Sequence, residues 1–103
     1  MTFKVVLREE ELWIGEMTGL EVEGRPVVLV NVEGTVCAYE DRCRHLARPL
    51  SQGRLTGDRL VCAAHAWEYD ACSGRGINPD GVALRRYPVR IAGGEILVDL
   101  DVV

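Results

Sequence analysis

Two short segments of the chain each combine one cysteine with one histidine. Cys43 and His45 stand one residue apart, and Cys62 and His65 follow after a gap of 16 residues. A thiolate and an imidazole this close in sequence point at one centre only where the backbone turns tightly, so we predict that both segments are loops. Both histidines of the 103-residue chain belong to this pattern, which argues against four unrelated polar side chains. The pattern predicts a metal site with two sulfur and two nitrogen donors.

The rest of the chain has the pattern of an all-β protein. Helical periodicity is scarce, and short runs rich in β-branched residues alternate with turn signals such as Glu33-Gly34 and Gly93-Gly94. We therefore predict a small all-β sandwich or barrel with hairpin connections and one helical turn at Glu9–Trp13. The predicted strands are Phe3–Leu7, Met17–Val22, Val27–Val32, Thr35–Tyr39, Arg59–Cys62, Trp67–Asp70, Arg86–Ile91 and Ile96–Asp99.

Length and composition indicate one globular domain over residues 1–103. Two domains would each need about 100 residues, and 48% hydrophobic with 27% charged residues is typical of a folded chain. The strand pattern stops from Asp41 to Ser51 and again from Cys62 to Ala66. Two such loops on a β scaffold suggest a small site at one end of the molecule.

Charge is spread unevenly along the chain. Twelve basic and sixteen acidic residues give a net charge of −4, which argues against nucleic acid and anionic membranes as main partners. Residues 42–90, however, contain nine arginines and four acidic residues. This basic stretch is either a solvated face or a docking surface around the two loops.

The ends and the apolar runs favour a cytoplasmic protein. No run approaches the ~20 apolar residues of a spanning helix, and no signal-like apolar segment opens the chain. Thiols stay reduced in the cytoplasm, so we read the cysteines as ligands or packed thiols rather than disulfides. Cys37 and Cys72 are given no ligand role. Trp13 is expected to pack in the core or the base of the fold, and not to take part in the chemistry.

Two metal sites match the four predicted ligands. One is a tetrahedral zinc that holds the fold together and serves no redox role. The other is a [2Fe–2S] cluster in which two histidines replace two cysteines on one iron. Zinc sites usually draw on cysteine pairs and histidine pairs. Mixed Cys–His halves favour the cluster, because each loop can give one thiolate to one iron and one imidazole to the other.

The motif C-x-H-x16-C-x-x-H resembles the signature of Rieske [2Fe–2S] proteins. The segment His65–Asp70, which reads HAWEYD, is similar to the second cluster loop of soluble Rieske ferredoxins. Trp13–Met17 (WIGEM) and Gly76–Asp80 (GINPD) resemble one subgroup, the ferredoxin component of bacterial toluene (aromatic) monooxygenases. The resemblance covers nearly the whole chain.

This resemblance implies a Rieske fold of stacked antiparallel sheets, with a cluster-binding subdomain of two loops at about residues 41–75. It implies one [2Fe–2S] cluster, with Cys43 and Cys62 on the inner iron and His45 and His65 on the outer iron.

The resemblance also implies a function. The chain would not be an enzyme but an electron carrier between an NADH-dependent flavin and iron–sulfur reductase and a diiron hydroxylase. The alternatives are the ferredoxin of an aromatic-ring dioxygenase system and, from another class, a zinc-stapled binding module. We expect a monomer, because a carrier has to release one partner before it meets the next.

Overall fold

The hairpin of strands β3 and β4 forms the centre of the protein in this computed structural model. Its turn is Glu33-Gly34, where both residues adopt positive φ (52° and 94°), the conformation that the tightest hairpins need. Residues 27–32 and 36–39 are all buried. Strands that are buried on both faces need apolar cover on both sides, and the other elements supply it.

The structure describes residues 3–42, 49–63, 67–78 and 81–101. Short 3₁₀ helices cover Glu9–Glu11 and Leu50–Gln52. The strands within these ranges are β1 Phe3–Arg8, β2 Met17–Val22, β3 Arg25–Val32, β4 Thr35–Glu40, β5 Arg54–Thr56, β6 Arg59–Val61, β7 Glu68–Asp70, β8 Gly76–Asn78, β9 Arg86–Tyr87, β10 Val89–Ala92 and β11 Glu95–Asp99.

The strands form three antiparallel sheets. One has the order β1-β11-β10, the second β2-β3-β4-β9 and the third β5-β6-β7-β8. The second sheet contains the central hairpin. The third contains β6, and the predicted ligand Cys62 is the residue that follows this strand.

Alternate residues of the central hairpin belong to two different apolar clusters. Val28, Val30 and Tyr39 pack with residues of the third sheet, such as Leu60 and Tyr69. Residues of the opposite face, Val27, Leu29, Val36 and Ala38, pack with Ile96 and Val98 of β11 in the first sheet. Because successive side chains of a strand point to opposite faces, the hairpin contributes one face to each of two apolar cores.

The predicted all-β class is confirmed, with differences at particular elements. β5 and β8 were not predicted, because Arg54–Thr56 and Gly76–Asn78 each contain one apolar residue, and Gly and Asn are depleted in strands. The predicted strand Arg86–Ile91 is in fact two strands in different sheets, separated by Pro88, which has no N–H for a ladder. The predicted helical turn at Glu9–Trp13 is a 3₁₀ helix over its first three residues.

The placement predicted for Trp13 is wrong. Its side chain is 71% exposed, and that of Ile14 beside it is 69% exposed. Within the part of the chain that the structure describes, no helix is long and apolar enough to cross a membrane.

Tyr39 connects the second sheet to the third. Its hydroxyl donates a 2.7 Å hydrogen bond to the carbonyl of Ala71, in the turn that follows β7. The tyrosine is fully buried, and this burial raises its pKa. Gly74, in the same turn, lies against the Tyr39 ring and has a φ of +81°. The turn can approach the ring this closely only because residue 74 has no side chain.

Substitution of Gly74 tests this close approach. In Gly74→Ala the new Cβ would lie 2.7 Å from Tyr39 Cε1, and the left-handed backbone adds strain of roughly 1–2 kcal/mol. With overpacking of about 1–3 kcal/mol, we expect a loss of about 2–5 kcal/mol in the free energy of unfolding, measured by urea denaturation.

Gly57→Ala is the matched control. Gly57 also has a positive φ (+61°), but a Cβ there meets nothing within 4 Å, so only the backbone strain remains. Equal losses in the two variants would show that contact with Tyr39 contributes nothing.

Candidate metal centre

One of the four predicted ligands lies within the described residues. Cys62 follows β6 directly and is 2% exposed. Its backbone N–H donates a 2.8 Å hydrogen bond to the carbonyl of Trp67, which closes the second loop at its base. Cys43, His45 and His65 lie outside the described residues, so the ligand set stays a prediction.

The two ends of the first loop are joined by a buried carboxylate. Asp41, 8% exposed, follows β4, and Ser51 lies in the 3₁₀ helix that begins at Leu50. Oδ1 of Asp41 accepts a 2.8 Å hydrogen bond from the Ser51 backbone N–H, and Oδ2 accepts one of 2.6 Å from the Ser51 hydroxyl. Hydrogen bonds to an ionised acceptor are the stronger kind. This pair, the Asp41–Ser51 clamp, joins the two described ends of the chain on either side of residues 43–48.

Gly19 of β2 makes room for the clamp. A Cβ at this position would lie 2.5 Å from the Ser51 hydroxyl oxygen and 2.9 Å from Oδ2 of Asp41. The φ of Gly19 is not in the left-handed range, so the requirement is for space and not for backbone freedom. Nothing in the sequence pattern singles out this glycine, because its neighbours 41 and 51 are distant along the chain.

The described ends of the two loops lie against each other. A Cβ on Gly53 would overlap the carbonyl oxygen of Val61 and would come within 3.1 Å of the Ala63 backbone nitrogen. Leu50 and Cys62 belong to one buried apolar cluster. The exit of the first loop and the entry to the second therefore share one base, as a site built from both loops requires.

The remaining two cysteines lie close to each other without a disulfide between them. Cys37 and Cys72 are both free thiols, and Cys37 Sγ donates a weak 3.5 Å hydrogen bond to the Cys72 carbonyl. Burial, followed by the proximity of Cys37, raises the pKa of the Cys72 thiol. Both residues pack in or against the core as small apolar groups.

The chemistry of the donors fits a cluster with mixed ligation. A thiolate in surroundings as apolar as those of Cys62 is costly unless a metal neutralises it. Among residues 3–42, 49–63, 67–78 and 81–101, no three Cys, His, Asp or Glu side chains come together as a metal site.

The fold and the Cys–His pattern define the class of protein. Residues 2–88 match the family described as the Rieske [2Fe–2S] domain, so the chain belongs to that family. The family implies a [2Fe–2S] cluster as the cofactor. The zinc-stapled alternative is set aside by this match.

Sequence similarity to individual proteins shows which kind of Rieske protein the chain resembles. The chain is 40% identical, over 89% of its length and 76% of the relative's, to the ferredoxin component of the alkene monooxygenase system of Xanthobacter autotrophicus. It is 36% identical to the ferredoxin component of the naphthalene 1,2-dioxygenase system of Pseudomonas aeruginosa, over 84% of this chain and 85% of that one.

Similarity to a solved structure points to the same kind of protein. A chain in the complex of reduced oxygenase and oxidised ferredoxin in carbazole 1,9a-dioxygenase superposes with a TM-score of 0.86 at 28% identity, over 93% of this chain and 91% of that one. The relatives are ferredoxin components of oxygenase systems, which are electron carriers and not the catalytic subunits. The present chain is a ferredoxin of this kind.

The Asp41–Ser51 clamp can be tested by cluster retention. In Asp41→Ala the Ser51 N–H and hydroxyl lose their acceptor. The loss of a hydrogen bond to a charged group destabilises the fold by about 1.5–3 kcal/mol. We expect faster bleaching of the visible spectrum in the presence of an iron chelator. Asp41→Asn keeps an acceptor oxygen and should restore most of the retention.

Ser51→Ala removes the hydroxyl that donates to Asp41 Oδ2 and should also speed bleaching, and Ser73→Ala is its control. The Ser73 hydroxyl accepts a hydrogen bond from the Arg75 N–H in an exposed turn, so its loss should leave bleaching unchanged. If Ser51→Ala bleaches no faster than Ser73→Ala, the clamp does not hold the loop.

Proposed function

We propose that this ferredoxin works in the cytoplasm, where it passes single electrons from an NADH-dependent flavin and iron–sulfur reductase to the diiron hydroxylase of a toluene-type aromatic monooxygenase. The observation that supports the acceptor is the 40% identity to a monooxygenase ferredoxin over 89% of the chain. The segments Trp13–Met17 and Gly76–Asp80 agree with this choice in sequence, although Pro79 and Asp80 lie outside the described residues.

Four side chains would hold the cluster. Cys43 and Cys62 would bind one iron, and His45 and His65 the other, within a subdomain at about residues 41–75. When bound, a Rieske cluster takes up and gives back one electron, at a potential above that of all-cysteine clusters because imidazoles replace two thiolates. The Asp41–Ser51 clamp joins the residues that flank the first predicted ligand pair, and the Cys62–Trp67 hydrogen bond joins the two ends of the segment with the second predicted pair.

The same side chains suggest where electrons leave. The histidine ligands would lie on the outer iron, and Arg42, Arg44 and Arg48 flank the first pair in sequence. Arg42 is exposed, whereas Arg44 and Arg48 lie outside the described residues. We propose that these arginines steer the carrier onto an acidic face of the hydroxylase.

A ferredoxin of an aromatic-ring dioxygenase is the second candidate. It is favoured by the similarity to the naphthalene dioxygenase ferredoxin and to the carbazole dioxygenase complex. In that system the acceptor would be a Rieske oxygenase instead of a diiron hydroxylase.

Reconstitution separates the two candidates. The holoprotein is reduced and mixed in parallel with a purified toluene monooxygenase hydroxylase and toluene, and with naphthalene dioxygenase and naphthalene. Hydroxylated toluene without the naphthalene diol supports the proposal, and the reverse result supports the second candidate. Product in neither mixture would overturn both.

The ligand assignment is tested by comparing two cysteines. Cys62→Ser should give a colourless protein, because a hydroxyl is a poor replacement for a thiolate on iron. Cys72→Ser should stay red-brown with its full iron and acid-labile sulfide, because Cys72 has no ligand role. Visible absorption and iron analysis of the purified proteins measure the difference. A coloured Cys62→Ser variant with full iron would contradict the assignment.

The role of the arginines predicts a dependence on salt. The rate at which the reduced protein transfers electrons to the hydroxylase should fall as ionic strength rises through about 0.1 M, where the screening length is about 10 Å. Arg42→Gln should lower the rate at low salt and flatten the slope. Arg90→Gln, in the first sheet over the Phe3 ring, should change neither. A rate that salt does not alter in the wild-type protein would refute the steering role.

A further inference from the structure

The two cysteines that have no ligand role lie in elements that contact each other. Cys37, in β4, is 1% exposed, whereas Cys72, in the turn after β7, is half-buried. The Cys37 Sγ lies 3.5 Å from the Cys72 carbonyl oxygen, so one sulfur contacts the backbone of the residue that carries the other. The Cys72 side chain packs against the apolar cluster that contains Cys37. The two thiols are therefore neighbours although they are far apart along the chain.

Hydrogen bonds hold the turn that contains Cys72 against β4. The Tyr39 hydroxyl, two residues along β4 from Cys37, donates to the Ala71 carbonyl at 2.7 Å. The Cys72 N–H donates to Oδ1 of Asp70 at 2.8 Å. Two cysteines can be bridged only where their backbones are already held close together. The hydrogen bonds at Ala71 and Cys72 provide that condition here.

The surroundings of the two sulfurs differ. The Arg86 Nη2 lies 3.9 Å from the Cys37 Sγ, where its positive charge offsets the negative charge that this sulfur carries when it attacks another atom. Cys72 is the more accessible of the two to a small oxidant. Burial, followed by the proximity of Cys37, raises the pKa of the Cys72 thiol. Most of this thiol is therefore protonated near neutral pH, so the pair stays reduced until an oxidant persists.

We propose that Cys72 and Cys37 form an oxidation site that reacts with hydrogen peroxide and closes to an intramolecular disulfide. Peroxide oxidises the Cys72 thiol to a sulfenic acid and is itself reduced to water. The Cys37 sulfur then attacks the Cys72 sulfur, the S–O bond breaks, and the hydroxyl leaves with the Cys37 proton as a second water. In total, two thiols and one peroxide give one disulfide and two waters. A thiol or phosphine reductant reverses the result.

The disulfide would join the two elements that lead to and from the predicted cluster loops. β4 leads into the first loop at Asp41, and β7 follows the second loop and ends at the turn of Cys72. A covalent bond between them links the second sheet to the third and restricts local opening of both. An iron–sulfur cluster is lost when its scaffold opens, so the oxidised protein should retain the cluster longer. This inference rests on membership of the family and not on which partner accepts the electrons.

Peptide mapping tests whether the bond forms. The holoprotein is treated with limiting hydrogen peroxide while its visible spectrum is recorded, and the free thiols are then blocked. Trypsin and a glutamate-specific protease place Cys37 on peptide 34–40, Cys72 on peptide 69–75 and Cys62 on a third peptide. We expect peptides 34–40 and 69–75 to be joined, with a mass lower than their sum by two hydrogens. Reduction should separate them.

Cluster retention tests the consequence. Oxidised wild-type protein should bleach in the presence of an iron chelator about threefold or more slowly than the same sample after reduction with a phosphine. Cys72→Ser, which keeps its iron, should bleach at one rate after either treatment. Arg86→Gln should form the linked peptides about twofold to fivefold more slowly, as the loss of one charge at this distance predicts. Arg85→Gln, at the exposed neighbouring position, should form them at the wild-type rate.

Several results would overturn the oxidation site. One is intact Cys37 and Cys72 thiols after peroxide treatment, and another is a bond from either cysteine to Cys62 or to a second copy of the chain. Linked peptides that form only after the visible spectrum has bleached would also overturn it, since the bond would then belong to protein that has lost its cluster. Equal bleaching of the oxidised and reduced wild-type samples would overturn the stabilising role of the bond.

Discussion

The burial of both faces of the β3–β4 hairpin is the constraint on which the rest of the structure depends. One set of alternate residues, including Val28 and Tyr39, faces the sheet next to the predicted cluster loops. The other set, including Leu29 and Ala38, faces the sheet formed by the chain ends. A hairpin that is apolar on both sides cannot be stable alone in water, so the two outer sheets and the hairpin stabilise each other. A chain of about one hundred residues thereby builds two small cores around one shared wall.

The loops of the metal centre are supported by polar contacts at their bases. A carboxylate joins the ends of the first loop, and a backbone hydrogen bond closes the second. Both bases rest on the same apolar cluster. Ligands on loops need such support, because the loops lack the regular hydrogen-bond ladder of a sheet. The β scaffold contributes rigidity, and in the proposed assignment the two loops would contribute the ligands.

The distribution of charge relates the fold to the carrier function. A net charge of −4 conceals a basic middle stretch and an acidic beginning. The β3–β4 hairpin separates the Arg42 end from the end beside Trp13. A carrier that meets partners briefly benefits from such polarity, since long-range attraction orients it before short-range contacts form.

The sequence by itself determined the all-β class, most strand positions and the four candidate ligands, because an alternating pattern and a Cys–His spacing are local signals. It did not reveal the three-residue strands β5 and β8, whose existence depends on pairing with neighbours. Nor did it reveal the need for Gly19, since the side chains that Gly19 makes room for come from distant parts of the chain. It also misplaced Trp13, because an aromatic residue in a short loop has no periodicity to show whether it faces the core. Tertiary structure decided these points, since each depends on which segments pack together and not on the order of residues within one segment.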